Sequence, residues 1–221
     1  MFYIDWVEQF WQDFWKENGP RIEQLRKSDV DSLASDRRVF LELALRNLRA
    51  DVESMSALNW WMLRFGQQYP DLRAIWSRQL ADEQKAISAM DEKLQDIGGD
   101  VWNYELNEFF KNGWKMLCEV QDLKEIIGFG VIFEREHYLH HVHLGKAAVM
   151  NGDLERGVPY MEILAPDEYR HCTMVYSYML AKYFNQPRQK EEVIEKLKQF
   201  ADFLIQDAEN YSRTLQEKLS A

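Results

Sequence analysis

The 221-residue sequence predicts an all-α protein, with four long helices in one bundle and a further helix at each end. Apolar residues recur at helical spacing over long stretches, and no segment alternates apolar and polar residues as a half-buried strand does. The five prolines fall mainly near expected helix ends, where a missing N–H is best tolerated. Hydrophobic residues make up 46% of the chain, so a large core can be buried. We therefore expect one helical domain over residues 1–221.

The predicted helices are separated by short turns that contain glycine or proline. The segments "GQQYPD" and "NGDLERG" and the glycine pair at 98–99 interrupt the helical pattern. Short turns make consecutive helices antiparallel neighbours, as in a helix bundle. The bundle core spans about 36–185, with helices at about 36–65, 71–95, 104–150 and 155–184, and the terminal helices lie at about 3–17 and 188–219.

Charge and composition exclude several classes of function. A net charge of −10 disfavours nucleic-acid binding, which needs clustered Lys and Arg. No apolar run approaches the ~18 residues of a membrane span, and the N-terminus lacks the basic region of a secretory signal. Two cysteines imply no disulfide framework. We expect a cytoplasmic protein that binds neither nucleic acid nor membrane.

Two acidic residues interrupt the apolar stripes of the predicted bundle helices. Glu83 lies within the stripe of the second helix, and Glu168 lies within that of the fourth, three residues before His171. An ionised carboxylate is costly to bury unless it is paired or binds a cation. Both glutamates therefore require a partner, and His171 projects from the same helix face as Glu168.

The number of residues between each acid and the turn predicts which acids lie at the same height in each antiparallel helix pair. Glu53 and Glu83 lie fifteen residues on either side of the centre of the first turn, and Glu134 and Glu168 lie seventeen residues from the centre of the second. Two hairpins packed face to face would bring the four glutamates together. Four such carboxylates with Glu-x-x-His motifs form the ligand set of a dinuclear site in a helix bundle.

The segment "DEYRH", residues 167–171, resembles the D-E-x-R-H segments of ferritin-like diiron proteins, in particular the bacterial multicomponent monooxygenases. The resemblance implies that Glu168 and His171 bind iron and that Asp167 orients a ligand histidine from behind. The segment "LADEQKA" matches the same pattern as far as Asp82 and Glu83, so the resemblance implies the same orienting role for Asp82. The resemblance covers about residues 36–185 and indicates a superfamily of ferritin-like bundles.

The second motif departs from this pattern because Ala86 stands where the family has a histidine. The remaining four histidines all lie in "FEREHYLHHVH" on the third predicted helix. His137 is three residues from Glu134, and His141 is two turns from it on nearly the same face. Either histidine could replace the missing ligand, as could a water molecule or a carboxylate.

The family resemblance implies a dinuclear iron centre, with manganese as the other metal suited to this ligation. It further implies that O2 is activated to oxidise a small organic or carrier-bound substrate, with electrons from a donor protein. Tyr138, one turn after Glu134, is a candidate hydrogen-bond donor or radical partner. The aromatic stripe of the first helix indicates core packing or a subunit contact, so a homodimer is compatible with the sequence.

Several alternatives remain open at this stage. Glu83 could pair with an arginine, and Glu53 could form an exposed ion pair with Arg49. The histidine cluster could be a surface patch. The whole chain could be a metal-free accessory relative of the diiron hydroxylases, an iron-storage protein, or an oxidase of the haem-oxygenase-like fold.

Overall fold

Helices account for nearly all of the residues that the computed structural model describes, namely residue 6, residues 8–20 and residues 37–220, with the backbone alone at 216 and 218–220. No strand occurs within these ranges, which confirms the all-α prediction. Residues 3–5 of the predicted first helix lie outside them. None of the described helices combines the length and apolar character needed to cross a bilayer.

We number the helices in chain order. They are α1 (8–20), α2 (Arg37–Phe65), α3 (Pro70–Gln95), α4 (Glu108–Cys118), α5 (Leu123–Met150), α6 (the consecutive segments Leu154–Pro159, Tyr160–Leu164, Ala165–Arg170, His171–Val175 and Tyr176–Tyr183) and α7 (Pro187–Ser220). The glycines that were expected to end helices do so: Gly98 follows α3 with φ 90° and Gly152 follows α5 with φ 76°. Glycine adopts these left-handed conformations without steric cost.

The prediction of one continuous helix over 104–150 is wrong, because α4 and α5 are separate helices. The Asp122 side chain accepts hydrogen bonds from the backbone N–H groups of Lys124 and Glu125, at 2.8 and 3.1 Å. An aspartate in this position caps a helix start, so a new helix begins at Leu123. The break between the two helices lets α4 pack on α2, whereas α5 packs mainly on α6 and α7.

Helix α6 contains two π-helical segments, Tyr160–Leu164 and His171–Val175, on either side of Glu168. Pro159 and Pro166 lack the N–H that the α-helical ladder requires, and they bracket the first π segment. In the second segment the Thr173 hydroxyl donates to the Tyr169 carbonyl oxygen at 2.6 Å, in competition with the backbone ladder. Such irregular turns change the direction in which the side chains of α6 point.

Four helices surround a common interior. The α2–α3 hairpin lies against the α5–α6 hairpin, with α2 in contact with α5 and α3 in contact with α6. Helix α7 packs along α5 and also contacts α2 and α4. Helix α1 joins α5 through Arg135, whose guanidinium binds the Glu8 carboxylate at 2.7 and 3.0 Å and lies 5.1 Å from the Trp11 ring.

The interior consists of two apolar clusters with a polar layer between them. The first cluster includes Leu58, Trp76, Ile127 and Tyr176, and the second includes Leu48, Ile87, Leu144 and Leu164. On each of the four helices, buried polar residues lie between the two clusters: Asp51 on α2, Glu83 on α3, Glu134, His137 and His141 on α5, and Glu168 and His171 on α6. The fold therefore brings carboxylates and imidazoles together at one level of the bundle.

Close packing fixes the register of α5 against α6 beside this layer. A Cβ atom on Gly130 would lie 2.0 Å from Cζ of Tyr176, far inside van der Waals contact. Glycine at this position therefore lets the buried tyrosine ring lie directly against the backbone of α5. The contact is one turn from Glu134, so it also determines how closely α6 approaches the polar layer.

Candidate metal centre

One buried group contains three carboxylates and one imidazole from three helices. Glu83, Glu134, Glu168 and His171 each offer one ligand atom, and these atoms all lie within 4.8 Å of one another. Each of the four residues is no more than 6% exposed. Side chains that converge in this way from different helices have the arrangement of a metal site in a helix bundle.

The imidazole of His171 occupies the middle of this first group. Its Nδ1 atom lies 3.4 Å from Glu134 and 3.7 Å from both Glu83 and Glu168. On the other side of the ring, Nε2 lies 3.3 Å from Oδ2 of Asp82. A carboxylate behind a histidine fixes the ring and its tautomer, which leaves Nδ1 directed at the three glutamates.

A second buried group contains Asp51 of α2 with His137 and His141 of α5. Their ligand atoms also lie within 4.8 Å of one another, and His137 Nδ1 is 3.3 Å from Asp51 Oδ1. Neither ring nitrogen of His141 has a hydrogen-bond partner, and neither does the nearby hydroxyl of Tyr160. Buried polar atoms without partners are rare, and a bound cation would account for one of the two His141 nitrogens.

The two groups are neighbours. Glu134 of the first and His137 of the second are three residues apart on α5 and therefore project from the same face. Burial and the nearby charge of Glu134 raise the pKa of Asp51, and burial together with Asp51 raises the pKa of Glu83. The carboxylates of the two groups are thus close enough for each to affect the ionisation of the other, as the ligands of two adjacent metal ions would be.

The same environment sets the charges of the metal-free protein. Burial, with Glu134 beside it, raises the pKa of Glu168, whereas hydrogen bonds with Glu168 and His171 outweigh burial and lower the pKa of Glu134. Burial disfavours the imidazolium of His171, but Asp82 and Glu134 overcome this and raise its pKa. Burial lowers the pKa of His141 and keeps it neutral, the form that binds metals. Metal binding would therefore displace protons from the acids and from His171.

A charge balance supports two divalent cations. When ionised, the carboxylates of Asp51, Glu83, Glu134 and Glu168 carry four negative charges, and in the described part of the chain none of them forms an ion pair with a Lys or Arg. Two divalent ions would neutralise the four charges, and the neutral imidazoles would complete their coordination. Buried carboxylates without such compensation would destabilise the fold.

The structure brings six of the predicted ligands together, in two groups: Glu83, Glu134, Glu168 and His171 in one, and His137 and His141 in the other. Glu53 belongs to neither group, and its carboxylate accepts a hydrogen bond from Arg49 at 2.7 Å on a partly exposed face. Tyr138 also lies outside both groups, half-buried, with its ring 5.4 Å from the ring of Tyr169.

The two aspartates that were expected to orient histidines have different neighbours. Asp82 contacts His171, as described above, and accepts a hydrogen bond from Arg170 at 2.6 Å. Asp167 instead pairs with Lys85 and with Arg170. The position on α3 that corresponds to His171 is Ala86, so Asp167 has no histidine to orient. It pairs instead with Lys85, the residue before Ala86.

Sequence reasoning missed Asp51, although a signal for it exists. Asp51 lies three residues after Leu48 and seven residues before Leu58, both fully buried, so it occupies the apolar stripe of α2. Gln79 was also missed. This buried amide donates a hydrogen bond to Glu134 Oε1 at 2.8 Å and holds that carboxylate in place.

Comparison with known proteins adds no further constraint: no protein-family model matches the chain, and no curated protein or solved structure matches it. What the protein does is therefore inferred from the residues of the centre.

Proposed function

We propose that the protein is a dinuclear iron oxygenase or oxidase of the ferritin-like diiron-carboxylate type. The observation that supports this most directly is the single buried layer of four carboxylates and three imidazoles, contributed by all four central helices. Asp51, His137 and His141 would hold one ion, and Glu83, Glu134, Glu168 and His171 would hold the other.

The ligand types favour iron, with manganese as the alternative. Zinc prefers thiolate and imidazole in closed tetrahedral sites, whereas carboxylate-rich ligation with a few imidazoles suits Fe²⁺ or Mn²⁺. The thiols in the described chain do not contribute, because Cys118 and Cys172 belong to neither ligand group. Burial, the largest effect, raises the pKa of Cys172 to about 12, so this neighbour of His171 stays protonated.

When bound, a pair of ferrous ions supplies the electrons and open coordination positions with which O2 is activated to oxidise an organic substrate. The protein's residues provide the setting for this chemistry. Asp82 fixes the orientation of His171, and Gln79 fixes that of Glu134. The two apolar clusters exclude bulk water on both sides, which strengthens the electrostatic interactions within the layer.

The test is an anaerobic titration of the metal-free protein with Fe²⁺, followed by exposure to O2. We expect two ions per chain, O2 uptake that depends on the iron, and a higher melting temperature with iron present. A ligand that binds only the folded state stabilises it by about 2.7 kcal/mol at a free concentration of 100 Kd.

The variant Glu168→Gln keeps the shape of the side chain and removes its charge. We expect it to lose the iron-dependent increase in melting temperature together with iron-dependent O2 uptake, while the metal-free protein keeps its stability because a buried acid has been removed. Glu162→Gln on the exposed side of α6 is the matched control and should behave as the wild type.

Other outcomes would redirect the assignment. Iron binding without O2 reduction would favour an iron-binding or storage protein. An unchanged melting temperature of the wild type at saturating Fe²⁺ and Mn²⁺ would overturn the proposal and favour a metal-free accessory protein.

A further inference from the structure

A surface cleft with a volume of about 330 Å³ lies between α4, the start of α5 and α7. Its walls are mainly apolar, and its described lining includes Gly113 and Met116 of α4, Phe129 of α5, and Gln199, Phe200 and Phe203 of α7. Ligand sites commonly have volumes of ~300–1,000 Å³, so the cleft is large enough for a small organic molecule.

A second, much smaller pocket of about 20 Å³ lies behind the aromatic wall of the cleft. The two share Phe129, Phe200 and Phe203, and the small pocket continues inwards to His137 of the candidate metal centre. This volume holds roughly one water-sized molecule. The aromatic side chains therefore separate an open cleft from a narrow space beside a candidate ligand.

Glycines in the adjacent helices make room for this aromatic wall. A Cβ atom on Gly113 of α4 would lie 2.4 Å from Cζ of Phe203, and one on Gly128 of α5 would lie 3.1 Å from Phe200. The Phe203 ring also stacks on Phe109, with 4.8 Å between ring centroids. The wall is thus formed by flat rings packed closely against the helix backbone.

The charges around the cleft indicate what it would bind. Its described lining carries only three charged residues, and Lys196 lies 3.4 Å from Glu125, which leaves Glu119 as the remaining charge. An anionic ligand such as a phosphate or carboxylate needs unpaired cations, usually arginines. Glu119 is exposed to solvent, so its charge stays hydrated and the apolar walls of the cleft suit a neutral molecule. The three phenylalanines favour an aromatic ring.

We propose that the cleft between α4, α5 and α7 binds a neutral aromatic substrate, and that Phe129, Phe200 and Phe203 separate the bound ring from His137 of the candidate metal centre. This inference rests on the proposed function for the identity of the ligand as a substrate. The binding itself involves no metal, so it can be tested on the metal-free protein.

The probe is N-phenyl-1-naphthylamine, a neutral arene that fluoresces in apolar surroundings, titrated into the metal-free full chain. We expect one molecule bound per chain. Gln199 is exposed and lines the cleft, so Gln199→Trp should fill the space and weaken binding at least ~10-fold. Met116→Trp, from the opposite wall on α4, should do the same.

The matched control is Gln206→Trp, which makes the same substitution at an exposed position two turns further along α7 and outside both pockets. It should bind the probe as the wild type does. Absence of binding to the wild type, or equal affinities of Gln199→Trp and Gln206→Trp, would overturn the assignment of the cleft.

The position of the bound ring beside the candidate metal centre has its own measurement, the proton spectrum of histidine-labelled protein. The chain has five histidines, and the His137 signal is identified by its loss in His137→Gln. We expect the bound probe to shift the His137 signal and to leave that of the exposed His143 unchanged. Binding without a shift at His137 would overturn the placement of the bound ring beside the centre. A cleft that binds the probe in a protein that binds no iron would contradict the proposed function and leave the cleft assignment standing.

Discussion

Nδ1 of His137 on α5 lies 3.3 Å from Oδ1 of Asp51 on α2. This contact joins the two helical hairpins at the level of the polar layer, and both side chains are almost fully buried. His141, one turn further along α5, directs a second imidazole at the same place. One carboxylate and two imidazoles are a common protein ligand set for a transition-metal ion, with the other coordination positions left open.

Replacement of Asp51 should therefore remove one of two metal ions. Asp51→Asn keeps the size of the side chain and removes the charge that a cation requires. We expect the bound Fe²⁺ or Mn²⁺ to fall from about two ions per chain to about one, measured by anaerobic equilibrium dialysis and elemental analysis.

Glu53→Gln is the control for this experiment because Glu53 is also an acid of α2 but pairs with Arg49. Its metal content should equal that of the wild type. Two ions in Asp51→Asn, or an equal loss in both variants, would show that the second group does not bind metal.

The contrast between these two acids shows what sequence spacing can predict. Equal distance from a turn gives the level of a residue in a hairpin, and Asp51 and Glu53 differ in level by only ~3 Å at 1.5 Å per residue. Two residues also rotate the side chain by about 200° around the helix, so the two acids point in opposite directions. Glu83 could be identified because its stripe is unambiguous, whereas level alone could not distinguish Glu53 from Asp51 on α2.

The histidines illustrate a different limit. The spacing within α5 placed His137 and His141 near Glu134, but it could not show which other helix they face. That depends on how two hairpins pack together, and on the proline-bracketed turn of α6 that alters its helical register. The spacing of apolar residues within one helix does not show which other helix it contacts. No sequence pattern therefore indicated that Asp51 would contact His137.

Asp82→Asn should weaken metal binding without removing a ligand. Its carboxylate lies 3.3 Å from Nε2 of His171, and loss of such a supporting contact typically lowers metal affinity ~10–100-fold. The measurement is the Kd for Mn²⁺ by competition with a chelator of known affinity. Asp167→Asn is the matched control, since Asp167 also precedes a candidate glutamate but contacts Lys85 and Arg170. Equal losses in both variants would contradict an orienting role for Asp82.

Arg46 of α2 and Asp207 of α7 form a buried ion pair, at 2.5 Å, that holds the last helix against the bundle. The guanidinium also lies between the rings of Phe110 and Tyr211, 4.5 and 4.1 Å from their centroids. Arg46→Met leaves the aspartate buried without its partner, so we expect a loss of about 3–5 kcal/mol in the free energy of unfolding, measured by urea denaturation.

The double variant Arg46→Met, Asp207→Leu should recover most of this loss, because no unpaired charge remains. Arg49→Met, three residues along the same helix, removes a partly exposed pair and should cost at most ~1 kcal/mol. A double variant as unstable as the single one would show that ring packing, and not the charge, dominates at this position.

Asp71, at the start of α3, accepts hydrogen bonds from Tyr178, Lys182 and Tyr183 near the end of α6, at 2.7–2.9 Å. Burial opposes its ionisation, but these donors outweigh burial and lower its pKa. The pKa of Asp71 is therefore lower in the folded protein than the ~3.9 of an aspartate in the unfolded chain. At a pH between these two values the unfolded chain holds a proton that the folded protein does not. The stabilisation is therefore present above pH ~4 and is lost as the pH falls through the lower, folded-state pKa.

Asp71→Asn should accordingly lower the free energy of unfolding near pH 6 by about 1 kcal/mol, a small value because the site is partly exposed to solvent. The difference between wild type and variant should narrow steadily as the pH is lowered from 4 to 2, in urea denaturations at matched ionic strength. Asp202→Asn, at an exposed position within α7, is the control and should leave the free energy of unfolding unchanged. If the difference in free energy of unfolding between wild type and Asp71→Asn stays constant down to pH 2, the hydrogen bonds to Asp71 do not depend on its charge.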